Sequence, residues 1–172
     1  MARPPKRRTK RPPNIVHTET LPWSEGGDGG AFEHSRKSLT HATQGEKLGC
    51  SLFRVPPGKA AFPAHLHHAN EEAIYILAGE GTLRLGNQRH PVGPGDYIAL
   101  PPGRVAHQLL NSGAEPLEYL CFSTMIQPEV VEYPDSGKIG AIAGTAPGGD
   151  STGRNVRGFY KTDSAVDYYE GE

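Results

Sequence analysis

Cysteine is scarce in this sequence, which contains only Cys50 and Cys121. Two cysteines 71 positions apart form no Cys-x-x-Cys pair and cannot build the disulfide framework of a small secreted domain. Both lie in apolar, strand-like runs. We therefore expect two buried thiols that pack as small hydrophobic groups, and the alternative is a buried disulfide between facing strands.

Long apolar runs are also missing. No run reaches the roughly 18 residues that a transmembrane helix needs, and the N-terminus lacks the apolar stretch of a secretory signal. With so few cysteines, this pattern predicts a cytoplasmic protein with no membrane association.

The sequence has no sustained helical period between residues 48 and 125. Its 22 glycines and 16 prolines make 38 of 172 residues that interrupt helices. Short runs rich in Val, Ile, Leu, Tyr and Phe recur instead, separated by turn residues such as Gly86-Asn87, as is typical of a β-sandwich or β-barrel. The predicted strands are 48–55, 73–78, 81–85, 88–92, 97–100, 105–111 and 117–125.

Composition divides the chain into four segments. Residues 1–13 form a basic, proline-rich tail that we expect to be disordered, and residues 14–47 form a polar, glycine-rich arm of extended segments and loops. Residues 48–125 hold the predicted strands. Residues 126–172 read as an irregular segment that packs on or near them.

Negative charge dominates outside the tail. The tail holds six basic residues and no acid, which leaves 12 basic and 19 acidic residues in the rest of the chain. A net charge of −7 on the folded part argues against nucleic-acid binding.

Histidines are concentrated after residue 64. His65 and His67 are two positions apart, so on a strand both rings would lie on one face. Glu71 and Glu72 follow, and His107 lies in a later predicted strand. Imidazoles and a carboxylate that converge from different strands are typical of a divalent metal site, although a His pair alone is weak support.

Two ordered motifs carry these residues. The first is Gly58-x6-His65-x-His67-x4-Glu72-x6-Gly79. The second is Gly95-x5-Pro101-x-Gly103-x3-His107-x3-Asn111. Together they resemble the paired motifs of the cupin superfamily, with one additional residue before His65 and one before His107. Both additions fall in predicted loops, where an insertion is tolerated.

The resemblance implies an all-β fold, a double-stranded β-helix (jelly-roll) barrel with a metal site in one mouth. It also implies the ligands His65, His67, Glu72 and His107. Glu72 is preferred to Glu71 because six residues separate it from Gly79 and because it shares a strand face with Ile74 and Ile76. Glu71 and His68 would then face outward.

Three neutral imidazoles and one carboxylate suit a divalent transition ion (Fe, Mn, Ni, Cu or Zn) and not an all-oxygen calcium site. Four protein ligands leave coordination positions open for a small-molecule substrate. The alternative is a cupin whose histidines bind no metal. Residues in phase with the ligands (Ile74, Ile76, Val105 and Leu109) predict an apolar lining, and Arg54, Lys59 and Arg104 are the basic side chains considered for the mouth.

The outward face of the strand at 73–78 is itself apolar, with Ala73, Tyr75 and Leu77. We expect the N-terminal arm or a second subunit to cover it, and a homodimer is preferred. Asn111 should bond backbone groups at a turn. The segment 133–138 should be a turn docked on the strands, with a phosphate- or substrate-binding loop as its alternative.

The functional prediction is a metal-dependent enzyme acting on a small molecule, either dioxygenase-like or sugar or sugar-phosphate isomerase-like. The resemblance does not choose between these reactions. The competing hypothesis is a non-catalytic barrel that binds or senses a sugar or hormone-like ligand. A second set of basic residues in the mouth, without a general acid or base near the metal, would favour it. Tyr75 and Tyr97 are the candidates for such an acid or base.

Overall fold

The computed structural model describes residues 11–149 and 151–172, so the first ten residues of the predicted basic tail lie outside it. Thirteen strands and four short 3-10 helices make up the regular structure of the described residues, and none of these residues forms an α-helix. The 3-10 helices are Thr18–Thr20, Pro134–Ser136, Ser151–Gly153 and Thr162–Ser164. The strands are β1 (Ser24–Gly27), β2 (Glu33–Ser38), β3 (Leu48–Val55), β4 (Leu66–His67), β5 (Glu72–Ala78), β6 (Gly81–Leu85), β7 (Gln88–Val92), β8 (Tyr97–Leu100), β9 (His107–Leu110), β10 (Leu117–Thr124), β11 (Glu129–Tyr133), β12 (Lys138–Ala143) and β13 (Val156–Lys161).

The strands form three antiparallel sheets. A six-stranded sheet has the order β1-β2-β3-β10-β5-β8, a four-stranded sheet has the order β13-β12-β11-β4, and a three-stranded sheet has the order β7-β6-β9. An antiparallel bridge between His65 and His107 joins the two smaller sheets at the edges formed by β4 and β9. The resulting two-layer arrangement is the predicted jelly-roll (double-stranded β-helix) fold.

The strands predicted between residues 48 and 125 are confirmed, most of them to the residue. Alternation of buried and exposed side chains defines them, as in β8, where Ile98 and Leu100 are buried and Tyr97 and Ala99 are exposed. Gly86-Asn87 forms the predicted hairpin between β6 and β7. Gly86 has φ of +57°, the left-handed conformation that such a turn requires and that glycine adopts without strain.

The hydrophobic core lies between the layers. Phe53, Val55, Ile76 and Tyr119 come from the six-stranded sheet and pack with residues such as Leu83 from the three-stranded sheet. Because Val55 and Ile76 are completely buried, each contributes about 1.5–3 kcal/mol to folding by removal from water.

The segment after residue 125 is more regular than the sequence predicts. Instead of an irregular segment, it supplies three strands, β11, β12 and β13, which make most of the four-stranded sheet. The glycines of this segment obscured the pattern, but Val131 and Ile142 are buried and anchor β11 and β12 to the fold. The segment is thus part of the jelly roll.

The N-terminal arm is extended, as predicted, and adds β1 and β2 to the edge of the six-stranded sheet beside β3. Trp23 covers part of the outer face, where the Lys37 ammonium and the Arg54 guanidinium lie 4.4 and 4.6 Å from the centroids of its rings. The arm does not cover the outer face of β5 and β8. Tyr75, Leu77 and Tyr97 there are 40%, 42% and 65% exposed.

The structure also tests the predictions for the two cysteines and for Asn111. Both cysteine thiols are free, so the alternative of a disulfide is not realised. Asn111 is completely buried, and its Nδ2 donates to the carbonyl oxygens of Val55 and Glu115 at 2.8 Å, which confirms its role at a turn. Among the described residues, there is no helix with the length and apolar character needed to span a membrane.

Candidate metal centre

The predicted metal ligands come from three places in the fold that the strand pairing brings together. His65 precedes β4 and His67 ends it, while Glu72 begins β5 and His107 begins β9. His65 and His107 exchange both backbone hydrogen bonds, with N···O distances of 3.1 and 2.8 Å. This bridge places their rings side by side, with centroids 4.5 Å apart.

The Glu72 carboxylate is the centre of the cluster. Its Oε1 lies 3.6 Å from Nε2 of His67, and its Oε2 lies 3.3 Å from Nε2 of His107. The ligand atoms of His65, His67 and Glu72 all lie within 4.8 Å of one another, so these three side chains form a group that could hold a metal ion. The strand phase is as predicted, because Glu72 faces the cluster and Glu71 is exposed.

The chemistry of this donor set fits a divalent transition ion. Nitrogen and oxygen donors converge, and His67 and His107 are only 7% and 6% exposed. Burial raises the pKa of Glu72, but the hydrogen bond from His107 and the nearby imidazoles outweigh it and hold the pKa below its usual range. Burial lowers the pKa of His65 to about 4, which keeps this imidazole neutral and able to ligate a metal.

The outer nitrogens of two histidines are fixed by hydrogen bonds. Nδ1 of His65 lies 2.8 Å from the carbonyl oxygen of Pro63, and Nδ1 of His67 lies 3.2 Å from Oε2 of Glu129. An oxygen acceptor at Nδ1 makes that nitrogen the proton carrier and leaves Nε2 with its lone pair toward the cluster. Both rings are thus oriented as metal ligands require.

Glu129 supports the cluster from β11 and is not among the residues predicted from the sequence. It is completely buried, and its carboxylate accepts hydrogen bonds from three consecutive backbone N–H groups, those of His68, Ala69 and Asn70, each at 3.0 Å. Burial opposes its ionisation, but the bonds from His67, Asn70 and the backbone lower the pKa of Glu129 to about 2. Glu129 therefore places a permanent negative charge behind His67.

A signal for Glu129 was present in the sequence. In the run EVVEY, Glu129 and Val131 share one face of β11, and both are buried. Asn70 completes the support, since its Nδ2 donates to Glu129 and to the carbonyl oxygen of Ile126, and its Oδ1 accepts from the backbone N–H of Ile126.

The four side chains of the cluster are part of the lining of a cavity of about 270 Å³. The walls are mainly apolar and aromatic, with Phe53, Phe62, Tyr119 and Tyr133 among the lining residues. The ring of Tyr133 stacks on His65, with centroids 6.0 Å apart and 29° between the planes. This end of the fold is therefore a binding pocket with polar donors at one point and an apolar wall around it.

The predicted lining is partly confirmed. Ile74 and Leu109 face the cavity, as expected. Ile76 does not line it and instead packs in the hydrophobic core. Val105 is 39% exposed because β9 begins only at His107, so Val105 belongs to the preceding loop and not to the strand.

The basic side chain that lines the cavity is none of the three named from the sequence. Arg54 pairs with Glu118 on the outer face, Lys59 donates to the carbonyl oxygen of Gly30, and Arg104 is exposed. Arg36, on β2 of the N-terminal arm, lines the cavity instead. Local pattern could not reveal this, because the inward face of β2 is fixed by its pairing with β3.

Other candidate residues lie away from the cluster. Tyr75 and Tyr97 are on the outer sheet face, so neither can serve as an acid or base there. His68 is exposed and pairs with Glu132, as the outward phase predicts. The turn at 133–138 is docked on β6 through two hydrogen bonds from Arg84 to Asp135.

The clustered side chains lie in a segment that matches a known protein family. The family described as "Cupin domain" matches residues 51–123, a span that includes the four clustered side chains. The chain belongs to the cupin superfamily. The family resemblance that the motifs predict is thereby confirmed, and with it the fold.

Two curated relatives match parts of this cupin. An uncharacterised protein of Methanocaldococcus jannaschii is 41% identical over 80 residues, which are 46% of this chain and 62% of the relative. Quercetin 2,3-dioxygenase of Bacillus subtilis is 32% identical over 90 residues, 49% of this chain and 26% of the enzyme. The cupin thus spans less than two thirds of either relative.

A solved structure matches over a greater length. The crystal structure of a candidate sugar phosphate isomerase from Acidithiobacillus ferrooxidans superposes with a TM-score of 0.68 and 30% sequence identity. The match covers 81% of this cupin and 83% of that chain. It therefore extends beyond residues 51–123 into the arm or the C-terminal strands.

Proposed function

We propose that this cupin is an enzyme that acts on a small molecule with the help of a divalent transition metal. The observation that carries the proposal is the convergence of His65, His67 and His107 on the Glu72 carboxylate at the side of a 270 Å³ cavity. Buried polar groups at one point of an apolar pocket are typical of an active site.

His65, His67, Glu72 and His107 would hold the metal, which we propose to be Fe, Mn, Ni, Cu or Zn. When bound, such an ion supplies Lewis acidity and coordination positions that the protein leaves open.

The rest of the chemistry belongs to the chain itself. Glu129 fixes the ring of His67, the aromatic wall excludes water, and Tyr133 lines the cavity with its ring stacked on His65. Burial raises the pKa of Tyr133, so its hydroxyl keeps its proton at neutral pH and can donate a hydrogen bond to a substrate oxygen.

Between the two predicted reaction types, we favour an isomerase. The candidate sugar phosphate isomerase resembles this chain over 83% of its own length, whereas the dioxygenase match covers 26% of that enzyme. A metal-assisted isomerisation also gains from a hydrogen-bond donor to the substrate oxygens, and Tyr133, whose ring stacks on His65, lines the cavity for this role.

The test is metal analysis followed by paired assays. Protein purified without added metal should contain about one transition ion per chain, and His67→Ala should remove it. The loaded protein should interconvert aldose and ketose forms of a sugar phosphate panel with no oxygen uptake. Oxygen consumption with flavonols would support the dioxygenase reaction instead, and protein free of metal after supplementation would refute the proposal.

A non-catalytic binding barrel is the second candidate. One observation favours it: among the described residues that line the cavity, Glu72 is the only carboxylate, and it is assigned to the metal. Tight binding of a sugar phosphate without any turnover by the loaded protein would support this candidate. Turnover that is lost in Tyr133→Phe would exclude it.

We further propose that the protein forms a homodimer through the outer face of β5 and β8. Tyr75, Leu77 and Tyr97 form an exposed apolar surface that the arm leaves uncovered. A flat sheet face of this kind is stabilised when a second copy removes it from water.

A further inference from the structure

Arg36 brings a positive charge to the cavity from outside the matched cupin segment. It lies on β2, opposite Phe53 of β3, and its side chain faces inward. Nε donates to Oγ of Ser51 at 3.0 Å and Nη2 donates to the carbonyl oxygen of Gly148 at 3.3 Å. The guanidinium carbon also lies 5.8 Å from the centroid of the Phe53 ring. These contacts hold the guanidinium at the cavity wall.

Arg36 differs from Arg54 and Arg84 in its charge environment. Arg54 pairs with Glu118 at 2.7 Å, and Arg84 pairs with Asp135 at 2.5 Å. In the described part of the chain, by contrast, no carboxylate forms an ion pair with Arg36, and its two hydrogen-bond acceptors are neutral oxygens. Burial lowers the pKa of Arg36, because the guanidinium charge is partly removed from water.

The charges of Arg36 and Glu72 cancel in the cavity, so a bound divalent ion would leave an excess of positive charge. Glu72 is the one carboxylate among the described lining residues, and it faces the three imidazoles. A divalent ion at the cluster would bring the sum with Glu72 and Arg36 to +2. A guanidinium matches the oxygens of a planar carboxylate or a tetrahedral phosphate, to which it can donate two parallel hydrogen bonds.

Arg36 and the metal cluster lie at separate places in the cavity. Glu72 is on β5 and Arg36 is on β2, with β10 and β3 between them. Three strand spacings separate the two backbones by about 14 Å along the sheet, and the Arg36 side chain crosses the first of these spacings to reach Ser51 of β3. A ligand that reaches both needs two ends, and the apolar wall between them includes Phe53 and Tyr119.

We propose that Arg36 is a specificity-determining residue that binds an anionic oxygen group, a carboxylate or a phosphate, on the substrate end remote from the metal cluster. This inference rests on the proposed function of the same cavity. Because Arg36 lies outside residues 51–123, the preference for an anionic substrate belongs to the arm of this chain and not to the part that matches the family.

The test compares three probes that share a phenyl body: phenyl phosphate, 3-phenylpropionate and the uncharged 3-phenyl-1-propanol. Their affinities are measured by calorimetry on the wild type, Arg36→Gln and Arg36→Lys. A lost charge-assisted hydrogen bond is expected to weaken one or both anions about 10- to 100-fold in Arg36→Gln, with the alcohol unchanged. Arg36→Lys should recover part of the loss. Whichever anion binds better in the wild type identifies the oxygen group.

The same measurements on His67→Ala separate this inference from the proposed function. In that variant the metal is removed while Arg36 remains, so anions should still bind better than the alcohol. Metal content should be unchanged in both Arg36 variants. Equal affinity of the wild type for anions and alcohol, or anion binding unaffected by Arg36→Gln, would overturn the inference even if metal-dependent turnover is found. Metal-free protein with Arg36-dependent anion binding would refute only the proposed function.

Discussion

The carboxylate of Glu129 lies 3.2 Å from Nδ1 of His67, on the side of the ring that faces away from Glu72. One histidine is thus held between two carboxylates from different strands. The inner one belongs to the predicted ligand set and the outer one fixes the orientation of the ring. An outer carboxylate of this kind raises the basicity of the imidazole and supports metal binding without touching the ion.

Glu129→Gln should therefore weaken metal binding although it removes no ligand. Loss of the negative charge behind His67 is expected to lower metal affinity about 10- to 100-fold. Glu132→Gln is the matched control, since Glu132 lies on the same strand but pairs with the exposed His68. Dissociation constants for Zn²⁺ from competition with a chelator measure the effect. Equal affinities of the two variants would show that Glu129 serves folding alone.

Glu72→Gln and Glu71→Gln test the assignment of the ligand itself. The first substitution keeps the size of the side chain but removes the anionic ligand, so metal affinity should fall by orders of magnitude. The second changes an exposed side chain and should cost at most a surface hydrogen bond, about 0.5–1.5 kcal/mol of stability. Metal content and dissociation constant are measured side by side. A greater loss in Glu71→Gln would move the ligand by one residue.

The sequence predicts the site residues that lie on the motif strands, but not those that lie on strands before or after them. Alternating patterns located the strands from β5 to β10, and the phase of Glu72 with Ile74 correctly selected the inward carboxylate. Such reasoning works within one strand because neighbouring side chains alternate between faces. It failed for Arg36 and Glu129, which reach the site from strands before and after the motifs. Alternation in the run EVVEY marks Glu129 as inward-facing, but the residues that it meets are set by pairing between distant strands, which no local pattern records.

We expect His65 to make the stability of the metal-free protein sensitive to acid. Its pKa is about 4 in the folded protein, compared with an ordinary value of 6.5. The unfolded chain therefore binds a proton at this residue below pH 6.5 that the folded protein does not bind until about pH 4. Stability contributed by His65 is complete above pH 6.5 and is lost as the pH falls toward 4.

Between pH 6.5 and pH 5, this loss amounts to about 2 kcal/mol. His65→Gln should remove that part of the pH dependence, and His41→Gln, which changes an exposed imidazole, should retain it. Urea unfolding of metal-free protein at pH 7 and pH 5 provides the comparison. If the wild type and His65→Gln lose the same free energy of unfolding between pH 7 and pH 5, another group is responsible.

The oligomeric state tests the exposed face of β5 and β8. Two chains of 18.5 kDa should sediment as a dimer of about 37 kDa. Tyr75 and Tyr97 lie opposite each other in the pairing of the two strands, so Tyr97→Lys places a charge at the centre of the exposed surface. Burial of that charge in a dimer is unfavourable unless it is paired, and the variant should sediment as a monomer with its metal content unchanged. Tyr168→Lys is the control, because Tyr168 is 87% exposed near the C-terminus and away from this surface. A wild-type protein that sediments at 18.5 kDa over a range of concentrations would rule out the dimer, whereas a dimer unaffected by Tyr97→Lys would place its interface elsewhere on the molecule.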